Sequence, residues 1–152
     1  MSQAACEVWF YHLERASLED VLRDLLEKTL SRGWRALVRT IDADRLAHLD
    51  AWLWTYRDES FLPHGLAGEA AFDRQPILLT TGEENLNEAQ VLFVLDEPPG
   101  DISAYERCIL IFDGADEAAV ARARALWSAW KAADLSVAYW KQGETRGWEK
   151  QA

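Results

Sequence analysis

The stretch that decides the fold is residues 7–40, EVWFYHLERASLEDVLRDLLEKTLSRGWRALVRT. Its first seven residues are rich in aromatic side chains and predict a β-strand. Ser17 is a predicted N-cap, and apolar residues then recur every three or four positions as far as Leu30, which predicts a helix with one buried stripe. Gly33 is well placed to end that helix, and residues 34–40 predict a second strand. A strand, a helix and another strand in this order indicate parallel pairing with a right-handed crossover.

The rest of the chain continues the alternation of helices and strands. A second helix should follow a short turn and bury Leu46, Leu49 and Leu53. After a long loop over residues 56–75, four strands and one more helix are predicted: PILLT at 76–80, VLFVL at 91–95, CILIF at 108–112, a helix at 116–133 and SVAYWK at 136–141. Two of these strands are apolar on both faces, as a covered sheet requires. We therefore predict a single three-layer α/β/α domain with a mostly parallel central sheet over residues 1–142, followed by a polar C-terminal tail over 143–152.

Length and composition indicate an ordinary globular protein. The chain has 152 residues, of which 49 % are hydrophobic. No apolar run reaches the roughly 18 residues that span a bilayer, and the N-terminus lacks the features of a signal peptide. We expect a cytoplasmic protein without a membrane segment. Cys6 and Cys108 should be small buried hydrophobic residues, and the three scattered histidines predict no metal site.

The charge is large and uneven. A net charge of −10 argues against direct contact with DNA, because phosphate binding needs a cationic surface. Six basic and three acidic residues make the segment from residue 118 onward +3, which leaves −13 for residues 1–117. A locally basic surface on an acidic protein suits an acidic protein ligand better than a long polyanion.

The last long helix contains the strongest candidate binding residues. Arg124, Trp127 and Lys131 follow an i, i+3, i+7 spacing, and Val120 precedes them on the same side. Such a ridge could bind a ligand with a carboxylate and an aromatic end, since arginine forks onto carboxylates and indole supplies apolar area. The same positions, with Trp130, also fit an amphipathic stripe that packs on the core, so the pattern leaves both alternatives open.

A second candidate surface lies in residues 51–69, AWLWTYRDESFLPHGLAGE. Trp52 and Trp54 are two positions apart and should point in nearly opposite directions on a helix, with Trp54 the better surface candidate. Phe61 follows in an acidic loop. An exposed Trp54–Phe61 pair would form a docking patch, whereas a loop that packs onto the core is the alternative.

Known catalytic motifs are absent from the sequence. The first strand-to-helix connection contains no glycine, and neither a dinucleotide-binding fingerprint nor a P-loop is present. We predict no catalytic residues, no metal and no cofactor. The competing hypothesis is an α/β nucleotide-using or hydrolytic enzyme with an unrecognised site.

One block of the sequence begins at Leu53-Trp54 and continues through SFLPH and LAGE to Glu69. It resembles the signature loop of the chi subunits of bacterial DNA polymerase III holoenzyme. Weaker similarity extends to the strand at 108–112 and to the last helix and strand. The resemblance implies a non-catalytic DNA replication accessory subunit, a monomer when alone. It would link the clamp loader and polymerase to single-stranded-DNA-binding protein by binding that protein's acidic C-terminal tail.

The resemblance also implies roles for particular residues. Arg124 and Trp127 match the family's arginine and aromatic positions in the tail-binding helix, and Val120 would contact the terminal aromatic residue. A lysine of some family members falls at Ser128 here, so Lys131 would supply that charge. A second surface, matching Trp54 and Phe61, would bind the psi subunit or a helicase-like partner.

Overall fold

The computed structural model describes residues 6–14, 17–55, 64–66, 75–82, 84–96, 102, 104–133, 135–142 and 148–150. At positions 54, 55, 64, 142 and 148–150 the description covers the backbone alone. The elements, in chain order, are β1 Glu7–Leu13, α1 Leu18–Ser31, β2 Ala36–Arg39, α2 Ala43–Thr55, β3 His64–Leu66, β4 Ile77–Thr80, β5 Val91–Val94, β6 Arg107–Asp113, α3 Glu117–Ala132, β7 Val137–Gln142 and β8 Trp148–Lys150.

The strands form one sheet in the order β3-β4-β2-β5-β6-β1-β7-β8. Seven strands are parallel, and β8 runs antiparallel to β7. The strand β1 lies between β6 and β7, so that His12 is level with Phe112 on one side and Lys141 on the other. The predicted mostly parallel sheet is confirmed, and β1 is placed beside the last helix of the described chain.

Alternation along the strands produces two hydrophobic layers. On β1, Tyr11 and Leu13 pack with the leucines of α1 and α2, whereas Val8 and Phe10 face α3. The other central strands divide in the same way, with Leu37, Leu78, Leu92 and Leu110 on the α3 side. Helices therefore cover both faces, and the predicted three-layer α/β fold is confirmed.

Capping residues define the ends of the helices that cross the sheet. The Ser17 hydroxyl accepts a hydrogen bond from the backbone N–H of Asp20 at 3.2 Å. Gly33 has a φ of 78° directly after the C-cap residue Arg32, a left-handed conformation that glycine adopts without steric cost. At the start of α3, the Asp116 carboxylate accepts from the backbone N–H groups of Ala118 and Ala119 at 3.0 and 3.2 Å. Asp116 thus fixes where α3 begins, directly after β6.

One strand boundary and two additional short strands differ from the sequence-based predictions. The strand β2 begins at Ala36, two residues later than expected, because Trp34 and Arg35 belong to the turn after α1. Within the expected long loop, His64–Leu66 pairs with β4 and forms the edge strand β3. Within the expected polar tail, Trp148–Lys150 pairs with β7 as β8. Both short strands complete sheet edges, and edge strands carry little of the hydrophobic pattern that identifies central ones.

Three expectations from the composition can be compared with the described residues. Cys6 and Cys108 are both free and buried, as predicted, and burial raises the pKa of the Cys6 thiol to about 12. Among the described residues, no cluster of three or more histidine, cysteine or acidic side chains could hold a metal ion. None of the helices in the described part of the chain combines the length and apolar character that crossing a membrane demands.

Candidate functional site

The predicted tail-binding residues lie together on α3, which packs against β6 and β7. We call Val120, Arg124, Trp127 and Lys131 the α3 surface. Val120 and Trp127 are half-buried and pack against the hydrophobic layer of that face, whereas Arg124 and Lys131 are exposed. Core packing and a solvent-facing ridge, the two alternatives for this helix, therefore occur together. The apolar residues pack on the sheet, and the cations lie on the outer side of the helix.

Trp127 contacts the core through its edge and stays partly open to solvent. Its ring makes edge-to-face contacts with Phe10, at a centroid distance of 5.8 Å, and with Tyr139, at 5.9 Å. The Nζ of Lys131 lies 5.4 Å from the centroid of the same ring, within cation–π range. The indole is thus held by two aromatic neighbours beneath it and has a cation at its outer side.

Arg124 supplies a charge that no acidic side chain of the described residues neutralises. It is exposed and forms no hydrogen bond or ion pair with any residue in the described part of the chain. Its positive charge reaches two neighbours on the sheet. Burial raises the pKa of Tyr139 and Arg124 lowers it, while burial, Lys141 and Arg124 all lower the pKa of His12. Arg124 therefore directs a positive potential toward His12 and Tyr139, on the side of the sheet that α3 covers.

Sequence reasoning missed two residues beside the α3 surface, Tyr139 and His12. The Tyr139 hydroxyl and the His12 Nδ1 share a hydrogen bond of 2.8 Å, and the two rings lie 5.9 Å apart. The signal was present in the strand patterns. Residues at positions 137, 139 and 141 share one face of β7, and pairing with β1 places His12 on that same face. What the pattern did not contain was the adjacency of β1 and β7, which are more than a hundred residues apart in sequence.

The second predicted surface falls largely outside the described residues. Trp54 lies near the end of α2, where only the backbone is described, and Phe61 lies outside the described residues. Trp52 is half-buried and packs with the layer beneath α1 and α2. Its inward position agrees with the expectation that one of the two tryptophans points to the core.

The place where α/β enzymes usually bind ligands is acidic in this protein. A cavity of about 480 Å³ lies at the carboxyl ends of β1, β5 and β6. Its charged lining residues are Glu14, Glu19, Arg45, Asp96, Asp113, Asp116 and Arg122. Several of these carboxylates have structural partners, since Asp116 caps α3 and Asp96 accepts from the backbone N–H of Ile41 at 3.1 Å. An acidic lining disfavours a phosphate group, so the geometry gives no support to the nucleotide-enzyme hypothesis.

Comparison with known proteins identifies a family match over most of the chain. The sequence matches the family model described as "DNA polymerase III chi subunit, HolC" over residues 6–138. It is 28 % identical over 113 residues to the probable DNA polymerase III subunit chi of Rickettsia prowazekii, covering 68 % of this chain and 67 % of that protein. It is 34 % identical over 84 residues to the DNA polymerase III subunit chi of Pseudomonas aeruginosa, covering 55 % of this chain and 58 % of that protein.

The family match includes β1, both sheet-covering layers and the whole of α3. It therefore spans the α3 surface and the whole of residues 53–69, the block that carries the resemblance. The chain belongs to the DNA polymerase III chi subunit family, and its role is accordingly that of an accessory subunit in DNA replication.

Proposed function

We propose that this chain binds the acidic C-terminal tail of single-stranded-DNA-binding protein on the α3 surface. In doing so it links the clamp loader and the polymerase to protein-coated single-stranded DNA, without catalysing a reaction and without contacting the DNA. The observation that supports this most strongly is Arg124, an exposed guanidinium without an internal acidic partner among the described residues, beside the partly open indole of Trp127.

Arg124 is the proposed binding group for the terminal carboxylate. A guanidinium offers parallel N–H donors that match the two oxygens of a carboxylate. Because Arg124 has no described ion-pair partner, binding a tail costs no internal salt bridge. This separates Arg124 from Arg107, which already lies 3.4 Å from Glu7.

The terminal aromatic side chain of the tail would pack on Trp127 and Val120. Both residues keep part of their surface open while their inner side packs on the hydrophobic layer. A ligand ring laid on this pair buries apolar area against a support that is already rigid, which lowers the entropic cost of binding. Upstream aspartates of the tail would lie near Lys131, which is exposed at the next turn.

Calorimetry with a synthetic acidic peptide that ends in a free phenylalanine carboxylate tests this proposal. We expect a dissociation constant on the order of micromolar at low salt that weakens as salt is added. Arg124→Ala should weaken binding at least about tenfold, because a charge-assisted hydrogen bond contributes roughly 1.5–3 kcal/mol. The matched control is Arg122→Ala, which removes the same charge from the same helix at a position that lines the acidic cavity instead.

The comparison of the two variants separates a specific site from general electrostatics. Equal losses for Arg122→Ala and Arg124→Ala would show that only net charge matters. An unchanged affinity for Arg124→Ala would mean that the tail binds elsewhere. A peptide with an amidated C-terminus should lose affinity for the unmodified protein and lose little further for Arg124→Ala.

For the second surface we propose a protein partner, either the psi subunit or a helicase-like protein, that docks on Trp54 and Phe61. Support comes from the resemblance of residues 53–69 to the signature loop of chi subunits and from the half-buried Trp52 of the same segment, which packs on the core. Trp54→Ala should abolish capture of purified psi subunit while leaving tail-peptide affinity within about twofold. Loss of both activities, or of neither, would contradict separate surfaces.

A further inference from the structure

Beside Trp127, the side chains packed between α3 and β7 include a histidine that the proposed tail-binding surface does not yet use. Tyr139 joins the two parts, because its ring packs edge-on against Trp127 at 5.9 Å and its hydroxyl lies 2.8 Å from the His12 Nδ1. His12 also packs edge-on against Phe112, with the ring centroids 5.2 Å apart. Aromatic contacts therefore run without a break from Trp127 to His12.

His12 is fixed in position from the far side as well. A Cβ placed on Gly114 would collide with the imidazole and with the Leu13 carbonyl, so only glycine allows the turn after β6 to pass this close. The backbone N–H of Gly114 donates to that Leu13 carbonyl at 2.8 Å. The ring is thus wedged between this turn and Tyr139, and its orientation is set by packing.

Charged groups surround His12 from every element that packs against it. Glu14, two residues farther along the chain, has its Oε1 3.9 Å from the His12 Nε2 and 3.3 Å from the Nζ of Lys141 on β7. Arg124 approaches from α3, and Asp113 lies at the end of β6. The free protein therefore already holds one carboxylate, that of Glu14, between a lysine and this histidine.

Burial, followed by Lys141 and Arg124, holds the pKa of His12 below its ordinary value of 6.5, although Glu14 and Asp113 act in the opposite direction. The imidazole is therefore neutral at neutral pH in the free protein. With its proton on Nε2, the side that faces Glu14, a neutral His12 accepts the hydroxyl proton of Tyr139 at Nδ1, whereas a protonated His12 donates from Nδ1 to the Tyr139 oxygen. In the second arrangement the phenolic proton is available for another acceptor.

We propose that the His12–Tyr139 pair forms the second half of the carboxylate site begun by Arg124, and that His12 takes up a proton from solvent when the tail's terminal carboxylate docks. This inference rests on the proposed tail binding. The terminal carboxylate would accept one hydrogen bond from Arg124 and one from the Tyr139 hydroxyl, which is released by the donor His12 Nδ1. Glu14 is the internal competitor, because its carboxylate already lies beside both Lys141 and His12.

A pH dependence with a defined sign follows from this arrangement. An added carboxylate favours the charged imidazole, so the pKa of His12 is higher in the complex than in the free protein. Affinity should be constant above the pKa of the complex and should rise as the pH falls toward the lowered pKa of the free protein. The gain in affinity is complete only once the pH lies below the pKa of His12 in the free protein, and there we expect binding about three- to tenfold tighter than at pH 8.

The experiment is calorimetry on the full chain with the acidic phenylalanine-ended peptide, at one pH near 6.5, in two buffers with different ionisation enthalpies. The unmodified protein should take up a measurable fraction of one proton on binding. His12→Gln removes the titrating group and should abolish this uptake whatever its effect on affinity, whereas Tyr139→Phe, which removes the hydroxyl between the imidazole and the docked carboxylate, should reduce the uptake. His48→Gln removes an exposed histidine of α2 and is the matched control that should keep the uptake.

Two further probes sharpen the outcome. The amidated peptide should bind without proton uptake, and Glu14→Gln should tighten binding of the free-carboxylate peptide about two- to fivefold, the size expected when a partly exposed competing ion pair is removed. Proton uptake that persists in His12→Gln, or that is zero in the unmodified protein while Arg124 still matters, overturns the inference and leaves the tail-binding proposal intact. A peptide that does not bind at all overturns both.

Discussion

Two regions of this molecule combine arginine with tryptophan and use the combination in opposite ways. On the face covered by α1 and α2, the Arg107 guanidinium carbon lies 3.8 Å from the ring centroid of Trp9 and 5.3 Å from that of Trp34. Its side chain is only 14 % exposed and lies 3.4 Å from Glu7. On the other face, Arg124 is exposed beside Trp127 and has no ion-pair partner among the described residues. Arg107 is part of the packing, whereas Arg124 is available to a ligand.

The difference between Arg107 and Arg124 shows which kind of observation favours a surface as a candidate binding site. Trp9, Trp34, Arg107 and Trp140 line a cavity of about 520 Å³, so aromatic content and volume alone would favour that face. There, however, the arginine is already stacked on indole rings and paired with an acid. At the α3 surface the indole is supported from below and the cation is unpaired. Whether the arginine already has an ion-pair partner, rather than the volume of the cavity, therefore favours the α3 surface over the Arg107 cavity as the candidate binding surface.

The largest expected effect comes from the residue beneath the α3 surface. Phe10 is fully buried and contacts the rings of Trp127, Trp130 and Tyr139 at centroid distances of 5.8, 6.0 and 6.0 Å. Phe10→Ala should lower the free energy of unfolding by about 3–5 kcal/mol, because it removes a core ring and leaves a cavity. Denaturation in urea measures this loss.

The same substitution sharpens the comparison between the two faces. If folded Phe10→Ala protein is recovered, its tail-peptide affinity should fall, because Trp127 and Tyr139 have lost their common support. Phe10→Leu is the conservative control and should cost less than about 1.5 kcal/mol. An unchanged free energy of unfolding in Phe10→Ala would show that the aromatic contacts under α3 do not stabilise the folded state.

The central part of the fold could be predicted from sequence because its helices and strands follow local hydrophobic patterns. The helical period from Ser17 to Leu30 and the doubly apolar strands gave α1, β5 and β6 almost to the residue. The edge strands His64–Leu66 and Trp148–Lys150 could not be predicted in this way. Each is three residues long, too short for a period to emerge, and each exists only because a neighbouring strand offers free hydrogen-bonding groups.

The candidate site could be predicted only in the part that lies on one element. The spacing of Arg124, Trp127 and Lys131 is a property of a single helix, so sequence placed them on one side. Whether Trp127 was core or surface depended on how deeply α3 sits on the sheet, which no spacing states. His12 and Tyr139 meet through tertiary contact between β1 and β7, and their pairing became visible only when the strand order was known.

A smaller effect is expected from Arg107, the internal counterpart of Arg124. Arg107→Ala should lower the free energy of unfolding by about 1–3 kcal/mol, since it removes a desolvated cation–π stack and leaves Glu7 without its partner. It should leave the tail-peptide affinity unchanged, because the sheet separates it from α3.

The control is Arg32→Ala, which removes an exposed guanidinium 4.2 Å from the Trp34 ring and should cost at most about 1 kcal/mol. Arg124→Ala should show the reverse pattern, with stability preserved and binding lost. If Arg107→Ala weakened the peptide as much as Arg124→Ala does, the two arginines would share one role, and the contrast between an internal and an available cation would be wrong.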